Sequence, residues 1–184
     1  FMWPRAFWES LYEPIIRRAA GLGALTRLED PDEYDKGFAH CDLLVIGAGP
    51  AGLMAALTAG RAGARVVLAD EDFRFGGRLN AETFEVGGTA GADWAAAAVA
   101  ELAALPNVRL MLRTTIVGAF DHGIYSAVER VSDHLAVPMA GKPRQTLCRI
   151  YSKRAILAGG ATARPIALEN SDRPGIMLAG SLRA

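Results

Sequence analysis

The chain has 184 residues, 51% of them apolar, with 20 basic residues against 20 acidic ones. That length holds one domain with a real core and falls short of a complete two-domain flavoenzyme. Balanced charge removes the electrostatic case for nucleic acid or an anionic membrane as partner, and no apolar run approaches the roughly 20 residues of a membrane span.

Residues 1–23, FMWPRAFWESLYEPIIRRAAGLG, set Trp3, Phe7, Trp8, Leu11, Tyr12, Ile15 and Ile16 at helical spacing. Pro14 is expected to divide two short helices, with Gly21 or Gly23 ending the second. So dense an apolar stripe must pack on this domain or on another, and it reads as an anchoring arm rather than a ligand site. Arg17 and Arg18 lack the hydrophobic region that would follow in a twin-arginine export signal. With no leader visible, a reducing cytoplasm is the expected compartment. Residues 27–40, RLEDPDEYDKGFAH, are polar and acidic and read as a linker or surface excursion. The expected organisation is an arm and acidic linker over 1–40, then a dinucleotide-binding domain over 41–184 that is incomplete at its C-terminus.

Residues 42–52, DLLVIGAGPAG, carry the most information. An apolar run breaks into glycines and then into an alanine-rich helix, predicted over about 50–61. Gly47 permits the tight turn, Gly49 lets a pyrophosphate approach the backbone, and Gly52 lets the helix pack close to the strand. Pro50 and Ala51, lying between these glycines, are counted with them as cofactor-binding residues of the turn. The free N–H groups and positive dipole end of that helix supply an anion site. A lone GxGxxG is weak evidence, but this one follows a strand (about 42–46), opens a helix and precedes a second strand (65–69) that ends at Asp70. The three elements form one right-handed βαβ unit with parallel strands.

Asp70 stands 23 residues beyond Gly47, where a carboxylate can accept both hydroxyls of an adenosine ribose. Glu71 and Asp72 extend it into a three-acid cluster. A 2′-phosphate beside such a carboxylate meets repulsion of about 4 kcal/mol at ~4 Å and an effective dielectric of ~20, which disfavours NADP; Arg74 and Arg78 offset part of it. The alternative is a solvated acidic turn. Next, FRFGGRLN (73–80) brings Gly76 and Gly77, which can pass close to a pyrophosphate, and Arg78, which can neutralise a phosphate. A simple turn is the competing reading.

A second helix is predicted over about 92–105, stopped before Pro106. Segments 108–113, 115–120, 124–131 and 145–153 then look like short strands, and RAILAGGA (154–161) repeats the strand-into-glycine pattern. The sketch is a parallel nucleotide unit, an antiparallel excursion and a return strand. Within the excursion, a strand edge at Val117 can read adenine through its backbone. Gly159 and Gly160 can bring main chain near the diphosphate from the opposite side. Cys41 and Cys148 lie far apart without CxxC spacing, so neither a disulfide framework nor a metal site is expected. His40, His122 and His134 show no ligand spacing, and no nucleophile arrangement is visible. No catalytic residue is therefore assigned, which fits a domain whose bound cofactor carries the redox chemistry.

Taken together, FMWPRAFWESLYEPIIRRAAGLG, CDLLVIGAGPAGLMAAL, GARVVLADEDFRFGGRLN, VRLMLRTTIVGAFDHG, VERVSDHL and RPGIMLAG resemble the alpha subunits of heterotetrameric sarcosine oxidases over nearly the whole chain. The glycine loop is shared by many flavin and nicotinamide proteins, whereas the aromatic arm, the LADED turn and the TT..GAFDHG run are far more specific. The resemblance implies an α/β fold of the FAD/NAD(P)-binding, glutathione-reductase-like Rossmann type, with a parallel sheet, an antiparallel β excursion and a short helical arm in front. It implies an oxidoreductase complex that oxidatively demethylates sarcosine to glycine, hydrogen peroxide and a folate-bound one-carbon unit. Partners would be beta, gamma and delta subunits, with FAD and FMN in beta and NAD in alpha. Carried over by position, NAD contacts would include Ala51, Asp70, Glu71, Asp72, Arg78 and Val117. Arg78 departs from the threonine or serine usual there, and AILAGGA departs from the usual ATGA.

Sequences of that family continue well beyond RPGIMLAG, so the expectation is a fragment holding the first part of the nucleotide domain, without a complete active site of its own. FAD remains an alternative to NAD, because both present the same ADP half to the glycine loop. Two further readings stay open: a member of a related opine-oxidising or cyanide-forming dehydrogenase complex, and a noncatalytic nucleotide-binding assembly module.

Overall fold

The computed structural model describes residues 4–21, 23, 28–83, 85–137, 139–161 and 164–182, in two units, Phe1–Pro31 and Asp32–Ala184. Trp3 and Arg27, from the predicted arm and linker, lie outside the described residues. In the first unit a 3₁₀ turn at Arg5–Phe7 runs into a π turn at Trp8–Tyr12 and then into α1, Glu13–Ala19. Pro14 sits in the first turn of α1, where a missing N–H costs nothing. The division expected at Pro14 therefore falls just before it, where π geometry gives way to α. Gly21 takes φ +68°, the left-handed residue that closes the helix. None of these helical residues is buried, and Phe7, Trp8, Leu11, Ile15 and Ile16 all keep their apolar side chains exposed.

The second unit is built from β1 (Tyr34–Ile46), α2 (Pro50–Arg61) and β2 (Val66–Ala69), followed by a small hairpin of β3 (Glu85–Val86) and β4 (Thr89–Ala90). Then come α3 (Gly91–Ala104), β5 (Val108–Met111), β6 (Thr114–Phe120), β7 (Ile124–Arg130) and β8 (Gln145–Leu157). Six strands make one sheet in the order β5-β2-β1-β8-β7-β6. The first four are parallel and the last two antiparallel. This is the α/β, Rossmann-type arrangement with an antiparallel excursion.

Two elements differ from the sequence reading. Residues 34–40 are the first half of β1, not linker, and the segments 145–153 and 154–161 share one continuous strand, β8. The two long strands run side by side from Tyr34↔Gln145 to Ile46↔Leu157. Charged residues hide the alternation in YDKGFAHC: Tyr34, Lys36, Phe38 and His40 face outward, while Ala39 and Cys41 are buried. The first half of β8 pairs with β7 on its other side, and the second half continues the parallel layer.

Apolar faces fill both sides of the sheet. On one side Leu53, Ala56 and Leu57 of α2 meet Ala95, Ala98 and Leu102 of α3 over Val45, Val66 and Leu68. The spacing of three and four residues in each helix turns one stripe to the sheet. Gly60 is needed here: an added Cβ would lie 2.9 Å from Val108 Cγ2 and 3.0 Å from Leu105 Cδ1. On the other side Cys41, Leu44, Val67, Met111, Cys148 and Ile150 draw the parallel and antiparallel parts together. Burial pushes both thiols above their ordinary pKa, so each acts as a small apolar group.

Candidate nucleotide-binding crevice

The carboxyl ends of β1, β2 and β8 open into a crevice of about 560 Å³. Its floor is the turn from Ile46 to Pro50. Gly47 has φ +96°, and an added Cβ would lie 2.5 Å from the carbonyl oxygen of Ala158. Only glycine meets both conditions. Gly49 caps α2 in extended geometry (φ −68°, ψ −175°), and Pro50 begins the helix. A Cβ on Gly49 would meet nothing within 4 Å, so this glycine faces the open crevice itself. Gly52 acts behind the turn: its Cβ would fall 1.9 Å from the Gly47 carbonyl oxygen, and it is buried rather than lining the crevice.

A second loop leans on the first. Gly76 N–H donates to the Ala48 carbonyl at 2.9 Å, and a Cβ on Gly77 would approach Gly49 Cα at 3.1 Å. Gly76 and Gly77 both have positive φ, +122° and +52°. They are therefore more than a generic turn: they let residues 75–80 lie against the glycine turn.

Asp70 ties these loops together. Its Oδ2 accepts the Ala48 N–H at 2.5 Å and its Oδ1 accepts the Asp72 N–H at 2.9 Å. The sequence reading gave this carboxylate to a ribose, and the structure gives it a prior task in bracing the glycine turn. An ionised carboxylate offers about four acceptor sites, so two are left for hydroxyls. The backbone around it is equally fixed, with Asp70 N–H donating to Met111 at 3.0 Å and Asp70 C=O accepting Thr114 N–H at 2.8 Å.

Ten of the twelve candidate residues line the crevice: Gly47, Gly49, Pro50 and Ala51 from the first turn; Asp70, Glu71 and Asp72 from the second; and Gly77, Arg78 and Gly159 around them. Gly52 supports from behind, and Val117 is not among the lining residues. A bulge between Ile116 and Gly118 leaves the Val117 side chain 58% exposed, and Thr114, Thr115 and Ile116 face the crevice in its place. Glu82 also lines it, although sequence reasoning did not single it out. The available signal was its position four residues after Arg78, the spacing of a helical ion pair. The Arg78–Glu82 pair does form, at 2.6 Å.

Beside the start of β2, within β1, Asp42 takes a bidentate Arg65 at 3.1 Å and Lys153 at 2.8 Å. Those two cations hold its carboxyl well below the usual carboxylate range, Arg65 chiefly. His40 stacks on Tyr151 with ring centroids 4.9 Å apart, a structural role. Among the described residues no group of three His, Cys, Asp or Glu side chains could hold a metal ion. No helix among them is long and apolar enough to cross a membrane.

The chain is 53% identical over all its 184 residues to the alpha chain of sarcosine oxidase from Rhizobium meliloti, spanning 19% of that protein. It is 34% identical over 145 residues to a subunit of opine oxidase from Agrobacterium tumefaciens, covering 76% of this chain and 28% of that one. Among solved structures, L-proline dehydrogenase from P. horikoshii superposes with a TM-score of 0.60 at 27% identity, covering 77% of this chain and 27% of that chain. The chain thus spans about a fifth of the length of its sarcosine oxidase relative. The family described as pyridine nucleotide-disulphide oxidoreductase matches residues 41–180, the stretch that holds both glycine loops, the acid turn and the whole crevice. With three-quarters of its length matched, this chain belongs to the pyridine nucleotide-disulphide oxidoreductase family.

Proposed function

We propose that the crevice binds the ADP half of NAD and that the chain is the NAD-binding part of a sarcosine-oxidase-type alpha subunit. One observation carries the first half: Gly49 has no Cβ and faces open space at the N-terminus of α2, while Asp70, braced on the same turn, lines the crevice beside it. Main-chain N–H groups at the helix start suit a diphosphate, and Asp70 or its neighbour Glu71 suits the ribose hydroxyls. Thr115 and Ile116, on the strand above, suit the adenine. Bound NAD would supply hydride-exchange chemistry, and no residue of this chain is assigned to catalysis. Four lining carboxylates, Asp70, Glu71, Asp72 and Glu82, stand against one lining guanidinium, that of Arg78, among the described residues. That balance favours NAD over NADP.

Full-length identity of 53% to a sarcosine oxidase alpha chain supports the second half. On that reading the complex removes the methyl group of sarcosine oxidatively, giving glycine, hydrogen peroxide and a folate-bound one-carbon unit. FAD and FMN would lie in the beta subunit, with gamma and delta completing a cytoplasmic heterotetramer. The arm and linker over 1–40 would precede a nucleotide domain over 41–184. Likeness to an opine oxidase subunit favours a related amine-oxidising complex as the second reading.

Thermal unfolding with and without NAD tests the binding claim. NAD at about 100 times its dissociation constant should add about 2.7 kcal/mol of stability. A folded protein with no shift would favour a noncatalytic assembly module. Yellow protein holding a flavin would transfer the crevice to FAD.

A further inference from the structure

Resting on the dinucleotide reading above, we propose that Glu82 sets the crevice's affinity for diphosphates by holding the Arg78 guanidinium in an internal ion pair that an incoming diphosphate must open. Arg78 rides on the turn Gly77–Asn80, and that turn packs so near the glycine turn that a Cβ added at Gly77 would lie 3.1 Å from Gly49 Cα. Its backbone is therefore fixed beside the place where phosphate oxygens would meet α2. The side chain is turned to Glu82 instead: Nη2 lies 2.6 Å from Glu82 Oε1 in an ion pair, and the Glu82 N–H closes the same turn onto the Arg78 carbonyl at 2.9 Å.

The two partners are unequally placed. The Glu82 side chain is 13% exposed and that of Arg78 58% exposed, so the carboxylate is the anchored partner and the guanidinium the movable one. Arg78 is also the only cation lining the crevice among the described residues. While it is paired with Glu82 its charge is offset, and among the described lining side chains no other cation counters Asp70, Glu71 and Asp72, which leaves only the start of α2 to attract an anion. A guanidinium has five N–H donors in a rigid fork and can pair with a phosphate through two of them as it does with a carboxylate. A diphosphate at the N-terminus of α2 is thus a competitor for Arg78. Glu82 costs affinity for phosphate and costs nothing for adenosine, which makes it a specificity-determining residue through Arg78.

Calorimetric titration of the whole chain with ADP and, separately, with adenosine tests this. Glu82→Gln should tighten ADP roughly three- to tenfold, the scale of losing one like charge and one helical ion pair, and leave adenosine within about twofold. The gain should shrink at high salt. In an Arg78→Ala background ADP should bind more weakly and the Glu82→Gln gain should shrink to the part owed to the lost like charge. Unchanged or weaker ADP binding by a Glu82→Gln variant with a native circular dichroism spectrum would overturn the proposal. So would an equal gain for adenosine, or a gain as large in the Arg78→Ala background as in the wild type. Failure of the wild-type chain to bind ADP or adenosine at all would instead remove the dinucleotide reading on which the proposal rests.

Discussion

Two aspartates bracket β2, Asp42 beside Arg65 at its start and Asp70 just past its end, and they spend their oxygens differently. Asp42 is held chiefly by side-chain cations, Arg65 and Lys153, both of them exposed, and also accepts the Arg65 main-chain N–H at 3.0 Å. Asp70 is held by the main-chain N–H groups of Ala48 and Asp72. An exposed ion pair is screened and adds little to stability. A carboxylate wired into two loops shapes the backbone and still keeps lone pairs for a ligand. A binding crevice is thus recognised by what braces its floor rather than by where charge is densest.

Disturbing the floor should have the largest consequence. Gly52→Ala places a methyl group 1.9 Å from the Gly47 carbonyl oxygen, and backbone cannot yield as a flexible side chain does. The expected loss is about 3 kcal/mol or more, read as a lower urea midpoint, with nucleotide binding lost as well. Asp70→Ala leaves the Ala48 and Asp72 N–H groups without their acceptor. It should cost about 1–3 kcal/mol and weaken NAD, whereas Asp42→Ala should leave NAD affinity unchanged. Equal effects of the two on NAD titrations would erase the distinction between these aspartates.

Ligand choice separates the two ends more finely. NADP should bind at least about tenfold more weakly than NAD, because a 2′-phosphate lands among Asp70, Glu71 and Asp72. Competition between the two for a fluorescent ADP analogue measures the ratio. Acid titration probes the other aspartate. The Asp42 carboxyl is held low by Arg65 and then Lys153, so its contribution is full above the ordinary carboxylate pKa of about 4 and fades as pH falls below it. Asp42→Asn should flatten part of the fall in melting temperature between about pH 5 and pH 2. This is the smallest effect of the set, as expected for an exposed pair.

Local signals made the crevice floor legible in the sequence. Gly47, Gly52 and Asp70 each answer a steric or polar demand of the βαβ turn, Gly49 leaves open space in front of it, and α2 occupies 50–61 as the pattern predicts. What escaped was non-local. The first half of β1 finds its partner in β8, more than a hundred residues later, and charged outward positions masked its alternation. The register shift between Ile116 and Gly118, beside which Val117 stays out of the crevice lining, depends on pairing with β7. Glu82 was passed over because one acid beside a glycine loop carries no spacing signal unless Arg78 is read as its helical neighbour. The arm was legible as helix, while its apolar stripe gives no information on what covers it.

Isothermal titration of NAD into the wild-type chain and into Gly49→Val puts the crevice itself on trial. A Cβ added at Gly49 would meet nothing within 4 Å, so a valine there is expected to be tolerated by the fold and to project into the crevice. Saturable NAD binding is expected for the wild type, and none for a Gly49→Val variant with an unchanged circular dichroism spectrum. Undiminished NAD affinity in that variant would contradict a dinucleotide lying against this turn.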